Sequence, residues 1–220
     1  MHAFYSYELA TKGVYRHDPM MHGPLVFHST ALAFLLLGDS DATVRVLPAL
    51  AGIALVPALW LFRRYLGRAG ALAAAGLVTI SPSILFYGRY LRNDVYMALF
   101  AVFWIHGALR YLETRRPRWL YLMTAALSLS FCAKETVFLS GLTFGAFFAA
   151  YALLRVARGR EGLRASPSGH VAVVMLTMVL PFLVALVHVV VGWNPADFDS
   201  AAAQGRALAL LAAALFASAL

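Results

Sequence analysis

Three stretches of this chain concentrate side chains able to bind charge or move protons. The first is YRHDPMMHGP, residues 15–24, which holds Arg16, His17, Asp18 and His22, with His2 and His28 nearby. Imidazole and carboxylate together can ligate a divalent metal or relay a proton. That makes His17 and Asp18 candidate metal ligands, although their spacing matches no closed metal motif. The plainer alternative is a polar loop of hydrogen-bonded histidines. The second stretch is YGRYLRND, residues 87–94, with Arg89, Arg92, Asn93 and Asp94 in close succession. Arginine stays charged and grips phosphate through two parallel hydrogen bonds, so Arg89 and Arg92 suit an anionic headgroup. The alternatives are an ion pair with Asp94 for the arginines and a helix-capping or first-turn role for Asp94. The third is Lys134–Glu135, two ionisable groups set between apolar runs. Such groups are costly near lipid unless they face water, a cavity or each other. The lysine could hold a phosphate, and the glutamate could pair with it or with a metal. The alternative is a turn whose long side chains reach for the interface.

The elements that must position these residues are membrane helices. Of 220 residues, 62% are hydrophobic and 13% charged, against about 45–50% and about 25% in ordinary soluble domains. The apolar residues fall in long runs, which excludes a soluble domain and a disordered tail. Runs of about 20 residues, enough to cross a core of about 30 Å, are expected at 43–62, 69–87, 94–112, 118–133, 136–154 and 170–192. A seventh is expected from about 203. Net charge is +8, but the arginines sit in short clusters between spans, so a nucleic-acid partner is not expected. Arg63, Arg64 and Arg68, then Arg110, Arg115, Arg116 and Arg118, then Arg155, Arg158, Arg160 and Arg164 occupy alternate loops. By the positive-inside rule these loops are cytoplasmic. Region 1–42, loop 88–93, turn 134–135 and loop 193–202 then share the outer face.

Residues 1–42 read as an outer loop. Residues 3–12 suit a short amphipathic helix with Phe4, Tyr7 and Thr11 along one side. Pro24 to Leu37 is apolar but too short to span, which suits an interfacial helix ended by Gly38 and Asp39. No signal peptide is visible. An outer region with no span before it leads to one of two expectations, a missing helix before Met1 or another means of translocating this end, and the finish within a helix suggests an incomplete chain. Cys132 reads as a buried free thiol. His106 and His188 lie inside spans, where an interhelical hydrogen bond is the expected role. Pro57, Pro82 and Pro181 read as kinks or helix ends. No nucleotide-binding loop, nucleophile elbow or zinc-protease motif is present.

In order along the chain, HGP (22–24), GDSDATVR (38–45), the RYLRND segment and CAKETVFL resemble the multi-spanning glycosyltransferases of the GT-C fold. The nearest likeness is to the bacterial and archaeal flippase-activity-associated family, itself similar to protein O-mannosyltransferases. The resemblance implies an all-α polytopic bundle with two juxtamembrane helices in the first outer loop. It divides the chain into that loop (1–42) and a membrane bundle (43–220). It further implies transfer of a sugar from a polyprenyl-phosphate-linked donor at the outer face of the cell membrane. Such families carry an acidic pair in the first outer loop, one acid acting as base, and here no Asp or Glu precedes Glu8. Asp94 therefore becomes the expected catalytic acid, for metal or acceptor contact. Arg89, Arg92 and Lys134 are expected to bind the donor phosphate. Glu135, His22, His17 and Asp18 rank behind them. A metal-independent inverting mechanism and one using a divalent metal ion both remain open. A non-catalytic protein that binds or flips the lipid carrier is the competing reading. A transporter would place charges mid-membrane, and this chain keeps them at helix ends.

Overall fold

The computed structural model describes residues 2–15, 22–160, 162 and 165–190, apart from the side chains of Phe182 and residues 185–190. The expected seventh span from about 203 and loop 193–202 lie outside the described residues, as does the side chain of His188. Every element of regular structure among the described residues is helical. The chain divides into two units, Met1–Val137 and Phe138–Leu220.

The first unit begins with the two short helices expected of the outer loop. Helix α1 (His2–Lys12) carries a Glu8–Lys12 ion pair one turn apart, at 2.9 Å. Helix α2 (Leu25–Leu37) lies against it through aromatic contacts: His2 stacks on Phe27, and Tyr7 meets Phe34 edge-on. Gly38 ends α2 at φ 82°, a value that favours glycine, and its N–H reaches the Phe34 carbonyl. Ser40 then caps α3 (Asp41–Ala58), its hydroxyl accepting the Thr43 N–H at 3.1 Å.

Three helical stretches are long and apolar enough to cross a membrane among the described residues: Asp41–Ile80, Asp94–Thr114 and Val137–Ala157. The first is not one rod. Pro57 precedes a tight 3-10 turn at Leu59–Phe62, and α4 (Arg63–Ile80) is broken at Gly67, whose φ of 73° lies outside helical space. The chain then returns along α3. Val78 and Ile84 pack against Leu55, Ala58 and Val102. A Cβ added at Gly52 would lie 3.6 Å from the Gly88 Cα. A break at Ser81, with Pro82 opening α5 (Pro82–Tyr87), delivers the chain to the YGRYLRND segment.

Helices α6 (Asp94–Thr114) and α7 (Pro117–Ala133) pack side by side, joined by Arg115 in the left-handed conformation and by Pro117 in the first turn of α7. Met123 and Leu127 are fully buried along α7. The seam is tight at Gly107, where an added Cβ would stand 2.9 Å from the Trp119 carbonyl and 3.0 Å from the Met123 nitrogen. His106 does not make the expected interhelical hydrogen bond: its Nδ1 has no partner among the described residues. Its ring instead meets Phe62 and Trp119 edge-on. Cys132 is exposed rather than buried, because it falls on the outward side of α7. At the far end Glu113 accepts from Arg110 at 2.7 Å and pairs with Arg64 at 3.6 Å. Two arginine loops assigned to one face are thus tied together.

In the second unit, α8 (Val137–Ala157) and α9 (Pro167–Val190, with Pro181 inside it) meet through glycine. An added Cβ at Gly145 would lie 2.9 Å from Leu176 Cδ2, and one at Gly141 would crowd Val179. Large apolar side chains such as Ile53, Leu77, Leu139 and Phe147 remain exposed, which suits helices facing hydrocarbon. Overpacking the α6–α7 seam should therefore be costly. Gly107→Val is expected to lower stability by about 1–3 kcal/mol in thermal unfolding in detergent. Gly76→Ala, at a site with open space, should cost nothing.

Candidate active site

The site is assembled where α6 starts, where α7 ends and where the first loop enters α2. Asp94 opens α6, with Asn93 before it making no side-chain cap. Lys134 leaves α7 in extended conformation, and its Nζ donates to Asp94 Oδ1 at 3.0 Å. Arg92 Nε lies 3.2 Å from Asp94 Oδ2, so each carboxylate oxygen meets a cation. The Arg92 guanidinium also rests over the Tyr87 ring. The first-turn alternative for Asp94 and the ion pair with Arg92 are therefore both present. The pairing of Lys134 with Glu135 is replaced by one with a residue 40 positions earlier.

Glu135 turns instead to the first loop. His22 Nδ1 donates to Glu135 Oε1 at 2.7 Å across 113 positions of sequence. The backbone reinforces this link, because Gly23 N–H donates to the Ala133 carbonyl. A Cβ at Gly23 would collide with the Cys132 carbonyl, so only glycine allows this approach. His22 itself sits at φ 66°, a costly conformation for a residue with a side chain. Burial works to raise the Glu135 pKa. The hydrogen bond from His22, the residue's own N–H and the nearby His22 and Lys134 charges outweigh it, so the carboxyl is held below its ordinary 4.5.

His22, Arg92, Asn93 and Asp94 line a cleft of about 180 Å³ together with His2 and Tyr90. Asn93 is 2% exposed, and its Oδ1 has no hydrogen-bond partner among the described residues. Tyr90, stacked on Phe86, also borders a second cleft of about 350 Å³ lined by Arg45, Leu85, Phe86 and Arg89. Arg45 and Arg89 are exposed and have no ion-pair partner among the described residues. Two unneutralised arginines beside apolar side chains suit an amphipathic anion. Arg45, one turn into α3, was visible in sequence only as part of GDSDATVR. Its one signal was a cation on the acid-rich face.

His17 and Asp18 lie outside the described residues. Among the described residues no three His, Cys, Asp or Glu side chains converge on a metal position. His28 is taken up locally, donating to the Pro24 carbonyl and packing on Tyr15.

The family described as dolichyl-phosphate-mannose-protein mannosyltransferase matches residues 21–185. The chain belongs to that family. No curated protein and no solved structure matches it. Membership makes the chain a GT-C type membrane glycosyltransferase by family, in keeping with its multi-pass helical build. The matched region takes in His22, Arg45, the Arg89–Asp94 segment and Lys134–Glu135.

Two outcomes are expected of the pairs. Lys134→Met leaves Asp94 one cation and should lower stability by about 1.5–3 kcal/mol, the range for hydrogen bonds to charged groups. A double-mutant cycle with Asp94→Asn in thermal unfolding would measure the coupling. Because the Glu135 pKa is depressed on folding, its contribution is complete above 4.5 and is lost as pH falls through the lower folded value. Stability measured downward from pH 5 should therefore fall less steeply in Glu135→Gln than in the wild type.

Proposed function

We propose that the protein transfers a sugar from a polyprenyl-phosphate-linked donor to an acceptor hydroxyl at the extracytoplasmic face of the cell membrane. Within the GT-C enzymes the sequence is most like the flippase-activity-associated group. The observation that carries the reading is the convergence of three distant segments, His22, Arg92–Asp94 and Lys134–Glu135, on one end of the first unit. Glycosyl transfer from a lipid phosphate needs a carboxylate or imidazole at the acceptor hydroxyl and cations at the departing phosphate. Asp94, held between Arg92 and Lys134, is the group that contacts the acceptor hydroxyl. Arg89, joined by Arg45, takes the lipid phosphate, with Leu85, Phe86 and Tyr90 against the first carbons of the polyprenyl chain. Arg92 has guanidinium N–H groups beyond the one facing Asp94, and with Lys134 it offsets charge on the leaving group.

A second reading, binding of the lipid carrier without transfer, draws support from one feature. Both oxygens of Asp94 are already engaged by cations, as they would be in a purely structural anchor. Assay of the full-length protein with a radiolabelled polyprenyl-phosphate sugar separates the two. The expected result is transfer by the wild type and a loss of about 100-fold or more in kcat for Asp94→Asn. Lipid translocation with no transfer would establish the second reading. Unchanged transfer and donor binding in Asp94→Asn would remove Asp94 from the site.

A further inference from the structure

We propose that Asn93 selects the donor's sugar, its Oδ1 accepting a hydrogen bond from one hydroxyl of a monosaccharide seated in the cleft before α6. The inference rests on the donor named above, a sugar joined to a polyprenyl phosphate, and adds the residue that discriminates among sugars. Asn93 stands where an asparagine ordinarily caps a helix, its side-chain oxygen accepting a backbone N–H of the first turn. It makes no such bond here, because its backbone is already helical, at φ −73° and ψ −20°. The residue is 2% exposed, and Oδ1 has no partner among the described residues. Its polar neighbours in the cleft wall are engaged elsewhere: Arg92 and Lys134 with Asp94, and His22 with Glu135. A buried acceptor left unpaired is costly, so this one calls for a hydrogen-bond donor from outside the chain.

The cleft suits one sugar ring. Its volume is about 180 Å³, and a cavity of about 150 Å³ holds a benzene ring. Asn93, Asp94 and His22 give the wall its polar side, and Tyr90 gives it an aromatic one. That pairing matches the hydroxyls on a sugar's edge and the C–H groups on its face. Tyr90 also borders the larger cleft, where Arg45 and Arg89 stand among Leu85 and Phe86. In a lipid-phosphate sugar one oxygen atom separates the anomeric carbon from phosphorus. A phosphate held by Arg89 therefore sends its sugar past Tyr90 into the smaller cleft, beside Asn93. An acceptor carries no such tether, so the donor's sugar is the occupant. A site built to hydrogen-bond a hydroxyl rejects the analogue that lacks it, because the buried partner is then unpaired.

The test measures donor binding to the full chain in lipid nanodiscs, with no acceptor present. The probes are polyprenyl-phosphate mannose, glucose and galactose, the monodeoxy analogues of whichever binds tightest, and bare polyprenyl phosphate. One monodeoxy analogue should bind the wild type about tenfold or more weakly than its parent, the loss of one buried hydrogen bond. Asn93→Ala should bind that analogue and the parent equally, within about twofold. Asn93→Asp keeps an acceptor oxygen and should keep the discrimination. Sugars that bind the wild type no better than bare polyprenyl phosphate overturn the proposal. So does discrimination that persists in Asn93→Ala, or a loss of bare polyprenyl phosphate binding in both variants, which would make Asn93 structural. Transfer is assayed separately after adding acceptor. A wild type that discriminates through Asn93 but transfers nothing removes the transferase reading and upholds the sugar seat. A wild type that transfers while Asn93→Ala discriminates unchanged overturns the sugar seat alone.

Discussion

An ionisable side chain at the edge of a membrane must find a partner or water, and that constraint organises the first unit. Lys134 and Glu135 stand between two apolar helices, where an isolated charge is costly. The fold answers by sending each to a different segment, Lys134 to Asp94 and Glu135 to His22. Those two contacts, with the Gly23–Ala133 backbone bond, tie the entry to α2 and the start of α6 to the end of α7. The same logic holds at the far end, where Glu113 gathers Arg110 and Arg64. One end is dominated by cations around a single acid. The other alternates acid, base and imidazole around open clefts, which is the arrangement that chemistry requires.

Much of the scaffold was legible because it is local. Gly38 and Ser40 mark the boundary between α2 and α3 through their own backbone chemistry, and Pro82 and Pro117 open helices as their missing N–H allows. The reversal after Arg63–Arg64 was readable from the cationic cluster, although Gly67 does the turning. Of the first-loop helices, α1 followed from its amphipathic spacing and α2 from an apolar run too short to span, bounded by Pro24 and Gly38.

The site was legible as a set of segments but not as a set of partners. Arg92 and Asp94 are near neighbours in sequence, so their pairing could be read there. Lys134 and Asp94 come from different helices, and His22 and Glu135 from nearly opposite parts of the unit. No periodicity carries such information, since it depends on how α6 and α7 pack at Gly107. Arg45 escaped notice because one arginine in a helix's second turn resembles any surface cation. His106 was misread because an aromatic cage from Phe62 and Trp119 substitutes for a hydrogen bond. The family match, over residues 21–185, takes in all of these segments.

The account stands on the claim that the acid- and histidine-bearing end of the first unit receives the donor. The most direct measurement is photo-crosslinking of the full chain with a polyprenyl-phosphate sugar carrying a photoreactive group beside the phosphate, followed by peptide mapping. The account predicts adducts in the segments 22–24, 45, 85–94 and 134–135. Adducts confined to the arginine loops 63–68 and 110–118 would contradict it.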